Sequence, residues 1–131
     1  MKTYHGSCHC GAVRYEADID FSQGTIKCNC TIGTKMRFWA AQVPPAAFRL
    51  LSGAEALAEY RFGARRDGHH FCRQCGINLY SSGVARSGPF VAVTVASLDD
   101  VDVQELIDAP VRYIDGRNDE WDRPPAEVRH L

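Results

Sequence analysis

The chain has 131 residues, the length of one ordinary domain, with 45% hydrophobic and 24% charged residues, close to the globular average. Its formal net charge is −1 and its pI about 6.5, and the nearest thing to a basic run is Arg65-Arg66 in a Gly-rich turn. Nucleic acid and anionic membranes are therefore poor first partners. Met1 to Cys8 contains no apolar signal-peptide core, and the longest strongly apolar run, Phe90 to Ala96, falls far short of the roughly 20 residues a membrane span needs. The expected compartment is the reducing cytoplasm, where six cysteines argue for metal before disulfides.

No repeat or long linker divides the sequence, so a single domain over 1–131 is expected, mainly β with very little helix. Val13 to Ala17 alternates apolar with polar residues, as a strand with one buried face does. Phe38 to Val43 reads as a strand stopped by Pro44-Pro45, with a single turn over Pro44 to Phe48. Leu57 to Phe62 sets Ala58, Tyr60 and Phe62 on one face and Leu57, Glu59 and Arg61 on the other. Phe90 to Ala96 is a β-branched run suited to the middle of a sheet. Val101 to Asp108 fits one short helix behind an Asp99-Asp100 cap, although Val101 and Val103 also suit a strand. Val111 to Ile114 is a final strand closed by the turn pair Asp115-Gly116. The tail, 119–131, interrupted by Pro124-Pro125, reads as irregular.

All six cysteines fall into close pairs: Cys8-His9-Cys10, Cys28-Asn29-Cys30 and Cys72-Arg73-Gln74-Cys75. In an extended chain, residues two apart share a face, so a C-x-C pair can offer two thiolates to one metal while His9 points away. A C-x-x-C pair needs a tight turn, usually relaxed by a following glycine; Gly76 follows Cys75, and Gly11 follows Cys10. Four thiolates around one zinc ion make a closed structural site. Such an ion contributes on the order of 10–16 kcal/mol of apparent binding energy, enough to decide whether a small domain folds. Buried free cysteines are the bland alternative, but three pairs that use every cysteine argue against chance. Spacing allows any two pairs to share the ion; the glycines favour the first with the last.

The string Ser7-Cys8-His9-Cys10-Gly11-Ala12-Val13-Arg14-Tyr15-Glu16 resembles the opening motif of the glutathione-dependent formaldehyde-activating enzyme (GFA) family, which also includes centromere protein V. Phe71-Cys72-Arg73-Gln74-Cys75-Gly76-Ile77 resembles its second motif, and Tyr113-Ile114-Asp115-Gly116-Arg117-Asn118 its closing loop. The resemblance implies a β-tent fold with a structural zinc on Cys8, Cys10, Cys72 and Cys75. It implies a second, catalytic zinc on a C-x-C-x-x-C motif. The implied reaction joins glutathione to formaldehyde as S-hydroxymethylglutathione, the reverse being a carbon–sulfur lyase.

This sequence reads C-x-C-x-x-G: Gly33 stands where the third catalytic thiolate belongs. Cys28 and Cys30 therefore form an incomplete second site, because catalytic zinc ordinarily keeps three protein ligands. His5, His69 and His70 are the imidazoles able to complete it; otherwise a substrate thiol supplies the ligand, or the site is lost. A Cys28–Cys30 disulfide would close a strained, very short ring. Trp39 and Phe38 suit either the core or the wall of a substrate pocket. Lys35 and Arg37 suit either a solvated face or the carboxylates of a glutathione-like ligand. Two functions follow: a carbon–sulfur lyase acting on an aldehyde–thiol adduct, or a non-catalytic, zinc-stabilised binding or scaffold domain.

Overall fold

The computed structural model describes residues 1–63 and 67–131; the Arg65-Arg66 turn lies outside the described residues. Two sheets carry the fold. The smaller is antiparallel, in the order β1 (Lys2–Ser7), β2 (Arg14–Ile19), β5 (Phe48–Ser52). The larger runs β10 (Val111–Ile114), β3 (Thr25–Cys28), β4 (Trp39–Val43), β9 (Gly88–Thr94), β8 (Asn78–Ala85), β7 (Gly68–Cys72), β6 (Leu57–Tyr60). The mainly β expectation holds, and the β-branched run lies in the middle of the larger sheet as β9. It ends at Thr94 because Val95–Ser97 turns into a short 3-10 segment.

The core lies between the sheets. Tyr15, Val13 and Ala17 from the β2 region meet Leu79 from β8 and Val91 and Val93 from β9, and Phe48 stacks on Tyr15 and packs at a tilt against Tyr80. Fully burying side chains of this kind stabilises the fold by about 1.5–3 kcal/mol each. The buried Tyr15 hydroxyl shares a hydrogen bond of 2.6 Å with the Ser97 hydroxyl, so no polar group is stranded there.

Two short α-helices complete the described structure. The first, α1 (Thr31–Met36), has no forecast in the sequence, since Thr-Ile-Gly-Thr is a poor helix former. Its ends explain it. Cys30 caps the start by accepting the Gly33 N–H, and Arg37 leaves the helix in a left-handed conformation at φ 55°. The second, α2 (Val103–Asp108), was expected, but its cap is Asp102, which forms a capping box with Glu105. Asp99 and Asp100 are used elsewhere: Asp99 accepts from the Ser7 hydroxyl, and Asp100 accepts from the backbone and is bonded to the ring of His5.

Topology sets the cysteines in two places. The β1–β2 hairpin of one sheet turns through Cys8 to Val13, and the β7–β8 hairpin of the other through Cys72 to Ile77. The third pair sits at the end of β3, beside β10. That neighbour is parallel, with Ile114 opposite Cys28, so the loops leaving both strands emerge together. Within the larger sheet, β3 and β7 are separated by four strand spacings, roughly 19 Å.

Candidate metal centre and the Cys28–Cys30 site

Each hairpin forms a knuckle, and the two are built alike. The Cys8 N–H donates to the Val13 carbonyl at 3.1 Å, and the Cys72 N–H donates to the Ile77 carbonyl at 3.0 Å. Gly11 and Gly76 close the turns at φ 80° and 79°, left-handed values that a side chain would strain. Cys8 to Cys10 therefore lies in a turn, not in the extended chain that alternation assumed. Turn geometry brings the two sulfurs to one side: Cys8 Sγ and Cys10 Sγ are 3.6 Å apart, and Cys10 Sγ is 3.7 Å from Cys72 Sγ.

All four sulfurs of Cys8, Cys10, Cys72 and Cys75 lie within 4.8 Å of one another. A tetrahedron with metal–sulfur bonds of about 2.3 Å has edges of about 3.8 Å, so the cluster is already shaped for such an ion. Among the described residues it is the only group of three or more His, Cys, Asp or Glu donors that close together. Backbone N–H groups favour the thiolate form at Cys75 and Cys8. The Cys10 and Ile77 N–H groups hold the Cys75 thiol down to about 6. Burial is the largest influence on Cys8 and raises it, but the Val13 N–H, 3.3 Å from its sulfur, together with hydrogen bonds from Cys10 and Cys72, outweighs it and the net shift is downward. The cluster can hold a metal, and because each knuckle belongs to a different sheet, that metal staples the two sheets together. His9 is exposed and outside the cluster.

The second pair is differently placed. Cys28 and Cys30 are buried, at 6% and 7% exposure. The Gly33 N–H donates to Cys30 Sγ at 3.3 Å. The Cys30 sulfur beside it, and then burial, push the Cys28 thiol far up, so Cys28 keeps its proton. Asn29 between them is pinned on both sides. Its amide donates to Asp115 Oδ1 at 2.8 Å, its side-chain oxygen accepts the Arg117 N–H, and its carbonyl accepts from Arg117 Nε. Hydrogen bonds from Asn118, then Asn29, hold the Asp115 carboxyl below the usual carboxylate range. The closing loop that the sequence marked is thus the clamp of the Cys28–Cys30 turn.

Sterics explain Gly33. A Cβ there would lie 2.7 Å from the Cys28 carbonyl oxygen and 3.0 Å from Cys30 Sγ. No candidate imidazole joins the pair. His70 is bonded to Ser82, faces Glu59 and stacks on Tyr80; His69 stacks on Phe62; His5 lies between Asp100 and Glu16. Two thiolates without a third donor among the described residues do not fit a resting catalytic zinc. A cavity of about 20 Å³, room for one water, adjoins Cys28, lined by Gly33, Thr34, Arg37, Phe38, His130 and Leu131. Phe38 and Arg37 face it, whereas Trp39 and Lys35 do not line it. The Trp39 indole instead donates to Thr25 Oγ1 and lies under Lys27.

The profile of the glutathione-dependent formaldehyde-activating enzyme family matches residues 3–112. The fold is similar to the crystal structure of a Rhodobacter sphaeroides protein from a structural genomics programme, with a TM-score of 0.70 and 34% identity. That similarity covers 82% of this chain and 99% of the other. With five-sixths of its length under that profile, both knuckles included, this chain belongs to the glutathione-dependent formaldehyde-activating enzyme family.

Proposed function

We propose that the four-cysteine cluster holds a structural zinc ion and that the Cys28–Cys30 turn is the seat of a carbon–sulfur lyase acting on an aldehyde–thiol adduct of the S-hydroxymethylglutathione kind. Zinc fits the cluster because four close thiolates in a closed tetrahedron are its usual structural donor set. The observation that carries the catalytic half is the pair itself: two buried sulfurs, that of Cys28 held protonated, kept beside a cavity by the Asn29–Asp115–Arg117 clamp.

Cleavage of R–S–CH2–OH removes the hydroxyl proton, forms the aldehyde carbonyl, and breaks the C–S bond with its electron pair going to sulfur. Cys30, whose sulfur already accepts the Gly33 N–H, takes the hydroxyl proton; Cys28, held protonated, supplies one to the departing sulfur. Transfer across the pair then restores both. No step is routed through a metal at this site, because Gly33 leaves it one ligand short.

The test is formaldehyde release from S-hydroxymethylglutathione by anaerobically purified protein. Cys28→Ser and Cys30→Ser should each lower the rate at least about 100-fold while the zinc content of the four-cysteine cluster stays unchanged. A wild-type rate no faster than the uncatalysed breakdown would overturn the catalytic half. The second reading, a zinc-stapled binding or scaffold domain with a degenerate site, is favoured by Gly33 and by the small size of the cavity. It predicts that very result, with glutathione either bound unchanged or ignored.

A further inference from the structure

The tail after the closing loop returns to the Cys28–Cys30 turn and covers it. Its start is fixed to the clamp: the Asp115 N–H donates to the Arg123 carbonyl at 3.0 Å, and Glu120 forms a bridge with Asp115. Gly116 lets Trp121 close over the turn, since a Cβ there would meet Cys28 Sγ at 2.7 Å and the Trp121 ring at 2.9 Å. Glu127 then shapes the chain by accepting from the Val128 and Arg129 N–H groups. The last two residues form part of the cavity wall beside Cys28.

Two cations hold that end in place. Arg37 Nη1 donates to the His130 carbonyl at 3.0 Å, and Lys27 Nζ donates to the main-chain oxygen of Leu131 at 3.2 Å. Arg37 stands on the cavity wall, at the C-cap of α1, and Lys27 is the residue before Cys28. Arg37 in particular is a cation that meets only an uncharged peptide carbonyl, where a carboxylate would bind more tightly. A cavity with room for one water cannot admit a thiol adduct while the tail is down.

We propose that residues 119–131 are a displaceable strap over the Cys28–Cys30 turn, latched by Arg37 and Lys27, and that a carboxylate-bearing ligand opens it by taking these two cations from the tail. The ligand class rests on the reading of the site given above; the strap and its latch do not. Ligand entry then costs the two latch bonds and the packing of Trp121, and it regains ion pairs between the ligand's carboxylates and the two cations.

The experiment uses the zinc-loaded chain and two readouts, iodoacetamide labelling of the Cys28–Cys30 pair followed by mass spectrometry and hydrogen exchange of the amides in 119–131. In the Lys27→Gln/Arg37→Gln variant, labelling of the Cys28–Cys30 pair should be at least about tenfold faster and exchange in the tail faster, with the zinc content unchanged. Saturating S-methylglutathione, which carries the carboxylates without a reactive sulfur, should speed tail exchange in the wild type and have little effect in the variant. Labelling and exchange that match the wild type in the double variant would overturn the latch. Tail exchange unmoved by S-methylglutathione in the wild type would overturn the competition. Should the double variant lose its zinc, the single variant Arg37→Lys, which keeps the charge, decides the latch by the same labelling ratio. A loosened strap in a protein that does not cleave S-hydroxymethylglutathione would sink the lyase reading and leave the strap standing.

Discussion

Gly33 is the residue on which the second site turns. Its absent side chain leaves Cys28 and Cys30 without a third sulfur, and the turn has closed around the gap until a Cβ would press on the Cys28 carbonyl. Gly33→Ala should therefore lose about 1–3 kcal/mol in urea denaturation, the usual cost of overpacking. Gly33→Cys carries the same strain but sets a sulfur beside the other two, so its zinc content should rise above that of the wild type. Unchanged zinc in a folded variant would show that position 33 does not face the pair. His5 gives a pH prediction. The Asp100 hydrogen bond, against a smaller desolvation effect, raises its pKa, with Glu16 adding to the rise. Its folded pKa lies above the unfolded one, so its stabilisation is full below about 6.5 and is lost as pH rises through the folded value. The stability difference between wild type and His5→Gln, followed by thermal melting of zinc-loaded protein, should shrink from pH 6 to pH 9.

At the scale of elements, hairpins and parallel pairing decide what meets what. Each knuckle is a hairpin turn with a left-handed glycine; the C-x-x-C-G string was legible as the turn of a metal site, whereas C-x-C-G was legible as a ligand pair but read as extended chain. Which pair shared the ion depended on bringing two sheets together, and the two glycines were the only local sign of it. Strands with alternating or β-branched residues, such as β2 and β9, were equally legible. Helix α1 was not, because its stability comes from the Cys30 cap and the Arg37 exit and not from its composition. The cap of α2 was misplaced by two to three residues: aspartates that look like caps in the sequence serve Ser7 and His5 across the fold. Cys72 ends β7 with no exposed surface and sits among four sulfurs. Cys72→Ser should release the metal and lower the melting temperature by roughly 10 °C or more, as a loss of several kcal/mol does in a domain of this size. A variant that melts normally with its metal in place would show that the cluster is not the staple.

Across the whole molecule, the fold keeps the metal and the proposed chemistry apart. The staple joins the tips of two hairpins, while the Cys28–Cys30 turn lies at the ends of a parallel strand pair four strand spacings away. Family membership was legible because its motifs are continuous strings along the chain. The tail's return to the site was not: His130 and Leu131 contribute main-chain oxygens, which carry no side-chain signature. No described helix is long and apolar enough to cross a membrane. Separation of the two sites makes metal counting decisive. Anaerobically purified protein should carry one zinc ion per chain, retained in Cys28→Ser and Cys30→Ser and lost in Cys72→Ser. Two zinc ions per wild-type chain, or one that survives Cys72→Ser and disappears with Cys28→Ser, would contradict the account.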